Sequence, residues 1–229
     1  MTPYRVVPAL AAAAMIATSG AADAASVGVR IIYDTTSVDI YDGDAADLNT
    51  SVDAIDWNLS EPTIGPTFQA LGFTALEVDG AKCTVCPDTL TMDLEASFRD
   101  APSLLEVLVS GIDFMRDAPS FLFTYVGIPI GPSTSILTEA YVSSNNTFFD
   151  LETLVGSEFS TAVFAGQQRG GSATAPYSAT LRMVFDFTDQ QTTMQAQSQL
   201  SPIPVPAALP LLLGGLGMLG LVGMRRRRS

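Results

Sequence analysis

Two stretches of the chain alternate apolar and polar residues almost without a break. Leu90, Met92, Leu94, Ala96 and Phe98 are interleaved with Thr91, Asp93, Glu95 and Ser97. Leu181, Met183, Phe185 and Phe187 are interleaved with Thr180, Arg182, Val184 and Asp186. A period of two puts successive side chains on opposite faces of a strand, one buried and one in water. An antiparallel sheet with a solvated side is the natural host for such strands. Val27 to Tyr33, Phe68 to Val78, Ser120 to Ile130, Ile136 to Val142, Thr147 to Leu154 and Glu158 to Phe164 are also rich in β-forming residues. Turn formers separate most of them: Gly127, Pro129, Gly131-Pro132, Asn145-Asn146, Gly156 and Gly170-Gly171. Ser103 to Phe114 suits either a helix or a strand, since Leu105, Val107 and Val109 also alternate. Many short strands with frequent turns predict an all-β domain over 25–188, an antiparallel two-sheet sandwich or jelly roll. No fixed-period repeat points to a solenoid or propeller.

The two ends follow another pattern. Arg5 precedes an apolar run from Val6 to Ala17, and Ala22-Asp23-Ala24 follows, with small residues at the third-last and last positions before a cut after Ala24. Charge, short apolar stretch and small-residue site predict a secretory signal peptide over 1–24, removed by signal peptidase after export by the secretion machinery. Near the other end, 189–201 is rich in Gln and Thr and reads as a polar linker. Prolines 202, 204, 206 and 210 lead into an apolar segment over 207–224, and the chain ends in Arg225, Arg226, Arg227, Arg228 and Ser229. Eighteen helical residues reach about 27 Å, close to the hydrocarbon thickness of about 30 Å. The four arginines predict a transmembrane helix with its tail in the cytoplasm and everything upstream outside.

The tail over 202–229 resembles the PEP-CTERM class of sorting signals, which exosortases read in Gram-negative bacteria. The resemblance is carried by Ile203-Pro204-Val205-Pro206-Ala207, the Gly-rich apolar helix and the Arg225–Arg228 cluster. It is closest to the variant with the signature Val-Pro-Leu-Pro-Ala, with Ile203 in place of Val and Val205 in place of Leu. It covers only the last thirty or so residues together with the signal peptide. The resemblance implies transient anchoring in the inner membrane, cutting near the proline motif by an exosortase, and delivery to the cell surface or into exopolysaccharide.

Composition narrows the chemistry. The chain has 24 acidic and 11 basic residues, a net charge of −13, and no histidine. An acid excess argues against nucleic-acid binding, which needs basic surface to displace counterions from phosphates. Without histidine there is no Ser-His-Asp triad, no Cys-His pair and no His-ligated metal. The charge is also uneven, because the exported segment carries 23 of the acids and only six of the bases. Cys83 and Cys86, the only cysteines, lie in Cys-Thr-Val-Cys-Pro. Outside the cytosol this spacing predicts a small structural disulfide, worth about 2 kcal/mol in the chain-entropy picture.

The segment from Asp34 to Asp56 holds seven aspartates and no base. Within it, Asp42, Asp44 and Asp47 around Gly43 offer hard oxygen ligands for a weak Ca²⁺ site, although the spacing is not that of an EF-hand. A solvated acidic loop is the plainer reading. A glycosidase would need two acids facing across a cleft, and the sequence nominates no pair. Glu139 and Glu152 read as outward-facing polar residues. Trp57, the only tryptophan, is either core or a sugar-stacking platform. The first expectation is therefore a non-enzymatic surface or matrix protein with a structural or adhesive role in exopolysaccharide. A glycan-binding domain, with or without Ca²⁺, is the second, and a carboxylate-based carbohydrate-active enzyme the third.

Overall fold

A computed structural model describes residues 26–83, 88–99, 103–130, 134–187 and 192–203. The predicted signal peptide over 1–24, the helix over 207–224 and the arginine cluster lie outside the described residues. Among those residues, no helix is long and apolar enough to cross a membrane.

The strands in chain order are β1 (Val27–Tyr33), β2 (Thr36–Tyr41), β3 (Ala54–Asn58), β4 (Phe73–Cys83), β5 (Thr89–Phe98) and β6 (Ser103–Phe114). They continue with β7 (Phe121–Ile130), β8 (Thr134–Ser143), β9 (Thr153–Ser160), β10 (Phe164–Gly170), β11 (Tyr177–Phe187) and β12 (Thr192–Pro202). One short helix, α1 (Gly65–Ala70), sits between β3 and β4. The strands form two six-stranded sheets, ordered β2-β1-β6-β11-β8-β9 and β10-β7-β12-β5-β4-β3. Every pairing is antiparallel. The protein is thus an all-β two-sheet sandwich, the architecture that the alternating pattern demands.

The buried halves of the alternating strands meet between the sheets. Val29, Ile31, Val107, Val109, Leu181, Met183 and Phe185 come from the first sheet, and Leu76, Val78, Met92, Leu94, Phe123, Met194 and Leu200 from the second. An aromatic cluster closes one end of this core. Phe73 makes edge-on contacts with Tyr33, Phe68, Phe98 and Phe187, and Trp57 packs edge-on against Phe68. Trp57 is fully buried and so belongs to the core, not to a sugar platform. The sheets approach closely at Gly80, where a Cβ would lie 2.7 Å from Val109 Cγ1. Only glycine fits there.

Several boundaries differ from those the sequence predicts. Ser103 to Phe114 is a strand, held between β1 and β11. Phe68 lies in α1, and β4 begins only at Phe73, beyond Gly72 with its positive φ of 105°. The segment predicted from Thr147 is a loop up to Thr153. The largest correction concerns the predicted linker over 189–201, of which the described part, 192–201, is strand. Residues Thr192–Pro202 form β12, paired with β5 on one side and β7 on the other, at the centre of the second sheet. The reason is visible in its alternation. Met194, Ala196, Ser198 and Leu200 point inward and are buried, while Gln195, Gln197 and Gln199 point to solvent. The domain therefore runs on past 188 to the start of the proline motif, where Ile203 N–H donates to Ser120 O at 2.8 Å.

Candidate functional site: the outer face of the second sheet

The outward-facing halves of β3, β4, β5, β12 and β7 lie side by side because their registers align. Asp56 stands opposite Asp79, Asp79 opposite Asp93, Asp93 opposite Gln197, and Gln197 opposite Val126. The next row runs Asn58, Glu77, Glu95, Gln195 and Ile128. Five carboxylates, two glutamine amides, one asparagine amide and two aliphatic side chains thus tile one face in two rows that cross the strands. An open groove of about 600 Å³ follows these rows from Glu77 and Asp79 to Val126 and Ile128.

The polar groups of the groove are linked locally. Gln195 Nε2 donates to Glu95 Oε2 at 3.0 Å, and the Gln197 amide bonds to the Asp93 carboxylate. Carboxylate oxygens of Asp56, Glu77 and Asp79 all lie within 4.8 Å of one another. Among the described residues, none of the five acids forms an ion pair within 4.0 Å. Partial burial, then the neighbouring charges of Asp56, Glu77 and Asp93, push the Asp79 carboxyl up to about 6. Burial raises Asp93 as well, against the opposing bond from Gln197. Asp56 Oδ1 is buried and has no hydrogen-bond partner.

The first sheet treats its acids differently. On its outer face Arg182 bridges Glu106 at 2.7 Å and Glu139 at 2.6 Å, and Arg30 pairs with Asp39 at 2.7 Å. Two arginines thus answer three acids on that face. Among the described residues, the five acids on the outer face of the second sheet have no basic partner within 4.0 Å.

The sequence-predicted residues fall elsewhere. Asp42 Oδ2 accepts from Asp53 N–H at 2.8 Å, and Asp44 Oδ2 from Tyr41 N–H at 2.8 Å. Asp47 accepts from Asn49 and Asp56 N–H through Oδ1 and from Gly43 N–H through Oδ2. These three carboxylates serve the backbone of their own loop, as short acidic side chains do in turns. They are not among the acids that converge. Cys83 ends β4 and is disulfide-bonded, while Cys86 lies outside the described residues. Ile203 is the one described member of the proline motif. Pro204, Val205, Pro206, Ala207, Ala22 and Ala24 lie outside. Glu77, Asp79, Gln195 and Gln197 carry no motif. Their only sequence signal is their place at the polar positions of alternating strands.

No family model matches the chain, and no curated relative matches it. Among solved structures, one similar chain is TmCBM61 in complex with β-1,4-galactotriose. It is 7% identical with a TM-score of 0.33, over 59% of this chain and 94% of that one. Another, described as a CBM4 structure, is 10% identical with a TM-score of 0.27, over 66% of this chain and 86% of that one.

Proposed function

We propose that the protein is an exported, non-catalytic glycan-binding protein whose ligand lies across the outer face of the second sheet. The observation that carries this reading is the open groove that crosses β4, β5, β12 and β7. With strands about 4.8 Å apart, those four strands span about 14 Å, enough for an extended chain of several polar units. Carboxylates accept hydrogen bonds from hydroxyls, and glutamine amides both donate and accept. Val126 and Ile128 offer an apolar border to the C–H face of a sugar. Among the described residues no aromatic side chain lines the groove, so affinity would come from hydrogen bonds and charge rather than stacking.

Export is supported by the signal-like segment over 1–24. The resemblance of the tail to PEP-CTERM signals supports delivery by an exosortase to the surface or into exopolysaccharide, where glycan binding would serve an adhesive role. Both processing points adjoin the folded domain. Val27 pairs with Gly111 at the same end of the sandwich where Ile203 meets Ser120, across the short loop 115–120. A membrane tail would therefore hold that end nearest the membrane and leave the groove open to the side.

A hydrolytic second reading has one observation in its favour, the raised carboxyl of Asp79 beside Glu77. One experiment separates the two. The purified full-length chain is titrated with a panel of soluble oligosaccharides, and the mixtures are analysed for cleavage products. The proposal expects retention of at least one glycan without cleavage, and loss of binding in Asp93→Ala and Gln197→Ala. Product formation abolished by Asp79→Asn would replace it with the hydrolytic reading, and no binding to any glycan would contradict both. For sorting, the chain with and without 203–229 is expressed in an exosortase-bearing host. Permanent residence of the intact chain in the inner membrane would contradict the proposed route.

A further inference from the structure

We infer that Asn49, in the loop between β2 and β3, is an acceptor for an N-linked glycan once the chain is exported. The inference rests on the export proposed above and is independent of the groove.

Three of the four asparagines in the chain open an Asn-x-Ser/Thr tripeptide with no proline at its centre: Asn49-Thr50-Ser51, Asn58-Leu59-Ser60 and Asn145-Asn146-Thr147. In exported proteins this tripeptide is the acceptor for N-linked glycans, and it is modified where it lies on a surface loop. The asparagine Nδ2 is the nucleophile, and the hydroxyl two residues on is part of what the transferase reads. In the transfer, Nδ2 gives one proton to a base of the transferase and bonds to C1 of the first sugar of a polyprenyl-diphosphate-linked oligosaccharide. The C1–O bond breaks, and polyprenyl diphosphate leaves with the electron pair. No oxidant or reductant takes part. An acceptor therefore needs an unengaged Nδ2, an unengaged hydroxyl and a central residue that the core does not hold.

The fold separates the three tripeptides. Asn145 Nδ2 donates to Asp150 Oδ2 at 2.8 Å, and Thr147 Oγ1 reaches the same oxygen at 3.5 Å. One carboxylate thus engages both groups. At Asn58 the Ser60 hydroxyl donates to Asn58 Oδ1 at 2.5 Å, and the central Leu59 packs against the core. Leu59 N–H donates to Leu76 O at 3.2 Å, and its carbonyl accepts from Gln69 Nε2 at 3.0 Å. Asn49 meets all three conditions. Its Oδ1 accepts from Ser51 N–H at 2.9 Å, closing an Asx turn that leaves Nδ2 outside. Among the described residues, neither Asn49 Nδ2 nor the Ser51 hydroxyl makes a hydrogen bond. Asn49 is partly exposed, Thr50 and Ser51 are exposed, and Val52 is 79% exposed. Both feet of this tip are held, Leu48 N–H by Asp56 O at 2.8 Å and Asp53 N–H by Asp42 Oδ2 at 2.8 Å. A transferase can therefore grip 49–52 without opening either sheet.

The test incubates the purified, folded full-length chain with a bacterial oligosaccharyltransferase and a polyprenyl-diphosphate-linked oligosaccharide. A short acceptor peptide in a parallel reaction confirms that the transferase is active, and mass spectrometry maps the modified peptides. The expected result is a single glycan on Asn49, with Asn58 and Asn145 bare. Asn49→Gln and Ser51→Ala are expected to abolish the modification, and Ser51→Thr to retain it. A bare Asn49, or occupancy of Asn58 or Asn145 equal to or above that of Asn49, would overturn the inference. So would retention of the glycan in Ser51→Ala. Because transfer is assayed on the purified chain, each of these failures leaves export and the glycan-binding groove standing. Export fails separately, and takes the inference with it, if the chain isolated from an exosortase-bearing host keeps residues 1–24.

Discussion

Asp79 ties the stability of the domain to the charge of its groove. Its carboxyl is raised in the folded state to about 6, whereas an unfolded aspartate titrates near 3.9. Between these values the native state binds more protons than the unfolded state, so stability falls as pH rises through this window. The penalty is complete above about pH 6 and absent below the unfolded value, and Asp93 acts in the same direction. Asp79→Asn is therefore expected to raise the melting temperature by a few degrees at pH 7.5 and to leave it unchanged near pH 3.5. Equal shifts at both pH values would show that the gain is not electrostatic. Arg182 is the opposite case. Arg182→Met leaves Glu106 and Glu139 facing each other without their shared guanidinium, and is expected to cost about 1–3 kcal/mol in denaturant unfolding at neutral pH. Glu61 is almost fully buried, and its carboxylate accepts the Thr63 and Ile64 N–H groups at 2.8 and 2.5 Å ahead of α1. Burial alone would raise its pKa, but these donors outweigh it and lower it. Its contribution is present at neutral pH and is lost on acidification. Glu61→Ala is expected to destabilise by a similar 1–3 kcal/mol, about the cost of buried donors left unpaired.

Among the elements, β12 decides where the domain ends. It is hydrogen-bonded on both sides and places Met194 and Leu200 in the core, so its removal would open the second sheet through the middle. A chain ending after 188 is expected to aggregate or to lack cooperative unfolding, whereas one ending after 203 should melt cooperatively like the full chain. Circular dichroism melts of the two check this, and cooperative folding of the shorter chain would return 189–201 to the role of a linker. This element also marks the limit of what could be read from sequence. The strands at Leu90–Phe98 and Leu181–Phe187 were legible because apolar residues, most of them bulky, fill every inward position. In β12 the inward positions include small Ala196 and Ser198, and the outward ones are glutamines. Composition therefore suggests a solvated linker, although Met194, Ala196, Ser198 and Leu200 keep the spacing of a strand. Phe68 shows the converse: Pro66 just inside the start of α1 favours a helical turn that β-rich composition on either side obscured.

At the scale of the molecule, the fold class was legible and the groove was not. Alternation in single strands establishes which residues face water, but not which strands are neighbours. Glu77 and Asp93 come from consecutive strands but Gln197 from one far along the chain, and only the register aligns them. The aspartate-rich segment between β2 and β3 drew attention by local density, yet the carboxylates of Asp42, Asp44 and Asp47 are occupied by backbone N–H groups. The acidity of the domain takes its meaning from this distribution, with basic partners beside three acids on one sheet and, among the described residues, beside none of the five acids on the outer face of the other. The most direct measurement of that assignment is hydrogen–deuterium exchange on the full-length chain with and without a saturating soluble glycan that it binds. The account predicts protection confined to β4, β5, β12 and β7, with the outer strands of the first sheet unchanged. Protection centred on β1, β8 or the 42–53 loop, with none on β5 and β12, would place the ligand elsewhere and contradict it.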